Sequence, residues 1–265
     1  MTAPYNQRFF NNIANNFDHH VARSIPLFTE FQDNVVRNIA RYKGQSILDV
    51  CGSTGQLGRL LVNAGWKGGY TCLDGSKEMK QVFDSYPFNE SLRFKLAGFM
   101  ASWEDIQLFR EPGTFDIAIE CLGFQFFTKG RAKELDELKR ISKLCIIFEK
   151  FNTDEETFRT NEELKEPFKS LSFTKEEQEQ KEDTVLAAMS DYCYDARAFD
   201  KLIKSRFKHV KVIARIGNFV GYIATDKKEL LQDWIINTNL IDNQYNEDYY
   251  VQNTSVRTER TKTLC

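Results

Sequence analysis

The chain has 265 residues and a formal net charge of -2 at pH 7, with a pI near 6.0. That length suffices for one large α/β domain with additions, and the near-neutral balance gives no broad basic field for a nucleic acid backbone. No apolar run reaches the roughly 18 residues of a membrane helix, and MTAPYNQRFFNN has neither the basic start nor the apolar middle of a secretion signal, so a cytoplasmic location is expected.

Taken in order, Tyr5–Tyr42 is rich in aromatics. Phe9, Phe10, Ile13 and Phe17 recur at helical spacing, and Phe28, Phe31, Val35, Val36 and Ile39 predict a further helix after a break at Pro26. Two readings stand: plain packing helices, or a lid whose aromatic faces exclude water and stabilise a cation by about 0.5–2 kcal/mol. Ile47, Leu48 and Val50 then run into a glycine-containing loop, and Leu57, Leu60 and Leu61 mark a helix after it. This strand, tight loop and helix is the element around which the rest is organised. Gly52, Gly55 and Gly58 are spaced three apart with the Asp49 carboxylate beside them, a poor cradle for a pyrophosphate. The arrangement suits a ligand with an ammonium, a sulfonium and no phosphate, as in S-adenosylmethionine (SAM).

A second strand, Gly69–Leu73, ends in Asp74-Gly75-Ser76 before a helix over Lys77–Ser85. An acid at that place accepts both hydroxyls of a ribose; the alternative is a helix cap. Leu92–Leu96, Thr114–Glu120 and Leu144–Phe148 are three more strands, with an amphipathic helix over Lys133–Ile141. Ligands of doubly wound sheets sit at the carboxyl ends of strands, so Cys121 and Gln125 are candidates for the methionine side of the pocket. The charged stretch 152–183 reads as a solvated helical face or a cover over the sheet, and Tyr192 and Tyr194 follow within reach of a pocket. A helix over Asp195–Phe207, strands Val210–Ala214 and Phe219–Ala224, a helix over Glu229–Ile236 and a polar tail, loosely held or serving as a dimer or lid element, complete the chain. Six cysteines without a C-x-x-C pair, and only His19, His20 and His209, predict buried thiols and no metal site.

Asp49-Val50-Cys51-Gly52-Ser53-Thr54-Gly55 resembles the first motif of the class I SAM-dependent methyltransferases, and LDGSKEMKQVF resembles their second. The resemblance implies a doubly wound α/β fold, with a mostly parallel, seven-stranded, Rossmann-like sheet. The expected organisation is an N-terminal helical lid (1–43), a SAM-binding domain (44–225) carrying a charged helical insert (152–194), and a C-terminal helix and tail (226–265). It also implies that Asp74, Gly75 and Ser76 hold the ribose, that Met79 contacts adenine, and that Ser102, in the place of the family's acid, and Trp103 flank the purine.

Shorter stretches, Phe17-Asp18, Arg23-Ser24-Ile25-Pro26-Leu27-Phe28, Phe124-Gln125-Phe126, Glu149-Lys150-Phe151 and Gly217-Asn218-Phe219-Val220-Gly221, resemble carboxy-S-adenosylmethionine synthases. Those enzymes share the fold but alter SAM itself. The likeness brings Phe17 and Arg23 to the cofactor, Arg23 through the SAM carboxylate or the substrate. In that alignment the arginine that receives the new carboxylate falls near Glu182, and an asparagine after the fourth strand is Cys121 here, so changed chemistry is expected.

The sequence therefore predicts a SAM-dependent methyltransferase acting on a small molecule, with Glu149, Tyr192 and Tyr194 as candidates for positioning or proton removal. An enzyme that cyclises or carboxylates SAM alone, and a non-catalytic interaction protein of the same fold, are the alternatives. The partner is a small molecule or SAM by itself; a membrane is not expected, no base-methylating signature points to nucleic acid, and a homodimer is left open.

Overall fold

The computed structural model describes residues 5–42, 45–87, 89–97, 106–107, 109, 111–126, 131–151, 166, 168–170, 173–181 and 194–241. Ser102, Trp103, Tyr192 and Glu182 lie outside the described residues, as do much of the charged insert and the tail from 242.

Seven strands form one sheet: β1 (Ser46–Val50), β2 (Gly69–Asp74), β3 (Leu92–Leu96), β4 (Phe115–Cys121), β5 (Ser142–Lys150), β6 (His209–Ile216) and β7 (Phe219–Thr225). Their order is β3-β2-β1-β4-β5-β7-β6. The first five are mutually parallel, and β7 runs antiparallel to both β5 and β6. Connections leave β1 toward β2 on one side and reach β4 on the other, so the sheet has a crevice at the carboxyl ends of β1 and β4, where ligands bind in such folds.

Successive strand residues point to opposite faces, and the packing follows that period. Ile47, Cys72, Ile117, Ile119, Ile146 and Phe148 join one core, covered by α3 (Phe28–Ala40) and α4 (Gln56–Asn63). Leu48, Val50, Leu73, Ala118, Cys145 and Ile147 join the other, covered by α6 (Arg131–Ile141) and α8 (Ala196–Arg206). Phe31 of α3 stacks on Phe148 with ring centroids 4.2 Å apart, which seats that helix over the middle of the sheet.

Local caps set the helix starts. The Ser76 hydroxyl accepts from the Met79 N–H at 3.1 Å at the head of α5 (Lys77–Ser85), and Asp195 accepts from the Ala198 N–H at 2.7 Å at the head of α8. Before the sheet come α1 (Tyr5–Ile13), a 3-10 turn (Ala14–Asn16) and α2 (Phe17–Ser24). Pro26 lies in the break before α3, where Leu27 adopts a left-handed φ of 56°. In the charged insert, α7 spans Lys175–Lys181.

Several boundaries shift by one or two residues from the sequence reading, and two of the differences have a clear physical cause. Strand β5 continues through Glu149 and Lys150, because both are buried and paired to β7. The helix expected to reach Ile236 stops at Gln232 as α9 (Glu229–Gln232). Its continuation is taken by α3: Asn38 donates from Nδ2 to the Ile235 carbonyl at 2.9 Å and accepts the Ile235 N–H at 2.7 Å.

Candidate functional site

The loop after β1 is pinned to the end of β2. The Cys51 N–H donates to the Leu73 carbonyl at 2.8 Å, and the Ser53 N–H donates to Asp74 Oδ2 at 2.9 Å. To make this turn, Cys51 and Ser53 adopt φ values of 56° and 51°, a region unfavourable for residues with a Cβ. Gly52 between them has no room for one: a Cβ there would lie 2.8 Å from Cys72 Sγ and 3.0 Å from Asp49 Cγ. Gly55 is buried at the head of α4.

Asp74 stands at the centre of this floor. The Ser76 N–H donates to its Oδ1 at 2.9 Å, so each carboxylate oxygen holds at least one backbone N–H, and the carboxylate keeps capacity for further donors. Burial raises its pKa from the ordinary value, while the N–H donors of Ser76, Ser53 and Gly75 act in the other direction. Cys51, Gly52, Ser53, Asp74, Gly75 and Cys121 are half-buried and form an accessible surface at the strand ends. Gly55, Ser76 and Met79 support it from beneath, Met79 being only 2% exposed. Asp49 is also buried and accepts the Tyr70 hydroxyl. Burial pushes its carboxyl up to about 7, the Tyr70 hydrogen bond lowering it and Asp74 raising it.

A second loop closes the crevice from the β4 side. Leu122 has a φ of 64°, and the next three N–H groups converge on two buried acids. Glu120 Oε1 accepts from Gly123 at 2.6 Å and Phe124 at 2.8 Å. Glu149 accepts from Phe124 at 2.9 Å and Gln125 at 3.2 Å. Both oxygens of Glu149, predicted as a base, are thus engaged in shaping this turn. The two loops touch at Gly123, where a Cβ would meet Cys51 Sγ at 2.7 Å. The Gln125 side chain is buried and donates to the Leu122 carbonyl at 2.8 Å.

The N-terminal helices lie across this floor. Asp18 of α2 accepts from the Thr54 hydroxyl and from Arg59 of α4, the latter at 2.6 Å. The Ser76 hydroxyl donates to Asn11 of α1 at 2.9 Å, and the ring of half-buried Phe17 lies 6.1 Å from that of Phe10. Arg23 faces the insert: its guanidinium lies 4.4 Å from the Phe173 ring centroid and 3.7 Å from the Glu177 carboxylate. Phe173 also meets His20 edge-on at 5.6 Å. An open recess of about 550 Å³, lined by Glu166, Ser170, Phe173, Lys175, Gln178 and Glu179, borders the same ring. That recess belongs to the cover and not to the strand ends. Tyr194 is 6.2 Å from Phe199, which is 6.3 Å from Phe124, so it approaches the second loop through one intervening ring.

Sequence reasoning missed Glu120, Asn11, Asp18 and Arg59. Glu120 carried a usable signal, a carboxylate closing the otherwise apolar end of TFDIAIE; the other three act through partners distant in sequence. Among the described residues, no group of three or more His, Cys, Asp or Glu is placed to hold a metal, and no helix is long and apolar enough to cross a membrane.

Comparison with known proteins gives a family and a fold. Residues 2–174 match the ubiE/COQ5 methyltransferase family. No curated protein sequence matches the chain. The plantazolicin methyltransferase BpumL in complex with SAH is similar over 82% of this chain and 90% of its own, at 14% identity and a TM-score of 0.58. An O-methyltransferase family protein from Burkholderia thailandensis is similar over 83% of this chain and 59% of its own, at 11% identity and a TM-score of 0.55. A chain of the Haloferax volcanii complex containing the Trm112 methyltransferase activator is similar over 82% and 97%, at 15% identity and a TM-score of 0.54.

Proposed function

Because the chain belongs to the ubiE/COQ5 methyltransferase family and is a SAM-dependent transferase, we propose that it methylates a small molecule in the crevice at the carboxyl ends of β1, β2 and β4. One observation carries the reading: the accessible floor of Cys51, Gly52, Ser53, Asp74 and Gly75 lies beneath helices fastened to it through Asp18 and Asn11. A cover fastened so close to the floor suits a small acceptor better than a polymer.

The residues present fit SAM. Asp74 retains acceptor capacity for the two ribose hydroxyls, Gly52 lets the loop close onto Cys72 and Asp49 where a Cβ has no room, and the buried carboxyl groups around the crevice meet its positive charge by ionising. Gly55, Ser76 and Met79 shape the nucleoside side from below, and Cys121 and Gln125 border the methionine side. Asp49 underlies the loop through Tyr70. Phe17 belongs to the cover, and Arg23, engaged with Phe173 and Glu177, fastens the cover to the insert. SAM supplies an electrophilic methyl group, so the protein's part is to align an acceptor and exclude water. Tyr194, exposed and one ring removed from Phe124, is the tyrosine among the described residues assigned to orient an acceptor.

A reaction on SAM alone is the second reading, favoured by the engagement of Glu149 with backbone N–H groups, which leaves it a poor acceptor base. Mass spectrometry of the protein incubated with SAM, with and without a pool of small acceptors, separates the two. Acceptor-dependent S-adenosylhomocysteine supports methyl transfer. Enzyme-dependent methylthioadenosine from SAM alone overturns it in favour of cyclisation.

A further inference from the structure

Glu120 and Glu149 are 0% and 2% exposed, and their carboxyl groups meet at one donor, the Phe124 N–H, which lies 2.8 Å from Glu120 Oε1 and 2.9 Å from Glu149 Oε1. Glu120 Oε2 receives no N–H or O–H from another described residue. Two carboxylates in contact inside a protein cannot both remain ionised without a compensating cation; a shared proton resolves the contact. Among the described groups around them, one buried cation stands against several acids. Arg131 of α6 acts on Glu149, whereas Glu134 of the same helix is a further buried acid. The Cys51 thiol at the first loop, the Cys121 thiol at the end of β4, Asp49 of β1 and Asp74 of β2 share the same field. Lys150 follows Glu149 in the strand and therefore points to the opposite face. Burial pushes both carboxyl groups above the usual carboxylate range; the Glu149 charge raises Glu120 further, while the hydrogen bond with Glu120 and the Arg131 charge act on Glu149 in the other direction.

The pair is also well placed to sense a ligand. Glu120 is in register with Val50, the residue before the first loop, and the turn both acids hold meets that loop at Gly123. We propose that Glu120 and Glu149 read the charge of the bound ligand: they share one proton in the free protein, release it to solvent when cationic SAM binds, and take it back when S-adenosylhomocysteine replaces it. The inference rests on the SAM site proposed above. It balances in charge, since SAM carries one net positive charge at neutral pH and the product, having lost the methyl group from a sulfonium, carries none.

The consequence is that preference for SAM over its product rises with pH. Isothermal titration calorimetry of the full chain, in buffers of differing ionisation enthalpy between pH 6 and 8, reads the protons directly. The expected result is proton release with SAM and little or none with S-adenosylhomocysteine. The SAM-to-product affinity ratio rises toward about tenfold per pH unit, the limit for one linked proton. Glu120→Gln and Glu149→Gln each imitate the neutral carboxyl and are expected to abolish the difference; having two variants guards against one failing to fold, which a thermal melt reveals. Equal release with both ligands overturns the inference, as does unchanged release in both variants, which assigns the proton to Asp49. Absence of any SAM binding by the unaltered protein overturns the SAM site itself, and that failure is distinct from SAM binding without proton release.

Discussion

At the scale of single residues, Asp74 holds the loop at Ser53 and the start of the next helix at Ser76, and in the proposed SAM site its remaining lone pairs accept the ribose hydroxyls. Asp74→Asn keeps the volume and one acceptor oxygen, so the fold is expected to survive. Hydrogen bonds to charged groups are worth about 1.5–3 kcal/mol, and SAM affinity measured by calorimetry is expected to fall roughly 10- to 150-fold. Unchanged affinity would remove the ribose assignment. Ser53 makes the opposite case. Its left-handed φ of 51° costs on the order of 1–2 kcal/mol for a residue with a Cβ, and its hydroxyl makes only a 3.3 Å bond to the Cys51 carbonyl. Ser53→Gly is expected to raise stability by roughly 0.5–1 kcal/mol, after subtracting the extra freedom glycine gives the unfolded chain. A urea titration with an unchanged slope and a higher midpoint is the expected result. A lower midpoint would mean that the Ser53 side chain is needed for the turn.

At the scale of elements, the clasp of Asp18, Thr54 and Arg59 ties α2 to the first loop and α4. Asp18→Ala leaves the core untouched and is expected to cost about 1 kcal/mol or less, as partly exposed ion pairs do. Its larger effect is expected in hydrogen exchange, which should quicken across 5–24 while β1 and β4 remain protected. Equal protection in both proteins would show that the aromatic contacts hold the cover without the clasp. The sequence made the sheet legible because β1, β2 and β4 are apolar runs with glycine or aspartate at their ends, and it made α5 legible because Ser76 caps it. It did not reveal the end of β5, since Glu149 and Lys150 look like surface residues and are buried through contacts from other strands. Nor did it reveal the clasp, whose partners lie 41 residues apart. Spacing reports which face a residue occupies, but not what another element places against it.

At the scale of the molecule, an excess of buried acid at the strand ends makes stability depend on pH in an unusual direction. Asp49 holds its proton up to about 7, against an ordinary value of 3.8, and the Glu120–Glu149 pair is displaced the same way. As pH rises from about 4 toward 7, these groups ionise in the unfolded chain while the folded protein keeps the Asp49 proton and the one shared by the pair, so unfolding releases protons. Stability present at the acid end of this window is therefore lost as pH rises, and the Asp49 part of the loss levels off above about 7. Asp116 and Asp226, whose pKa values are lowered beside Lys143 and Lys139, work in the other direction, but they stay ionised across the window and act only below it. The melting temperature of the ligand-free protein is expected to climb as pH is lowered from 8 to 5.5. Asp49→Asn imitates the neutral acid and can still accept the Tyr70 hydroxyl, so it is expected to melt higher than the unaltered protein at pH 8 and to flatten the slope. Identical slopes would mean that Asp49 is ionised throughout, with its charge met by water reaching the loop. The remaining pH dependence would then belong to the carboxyl pair.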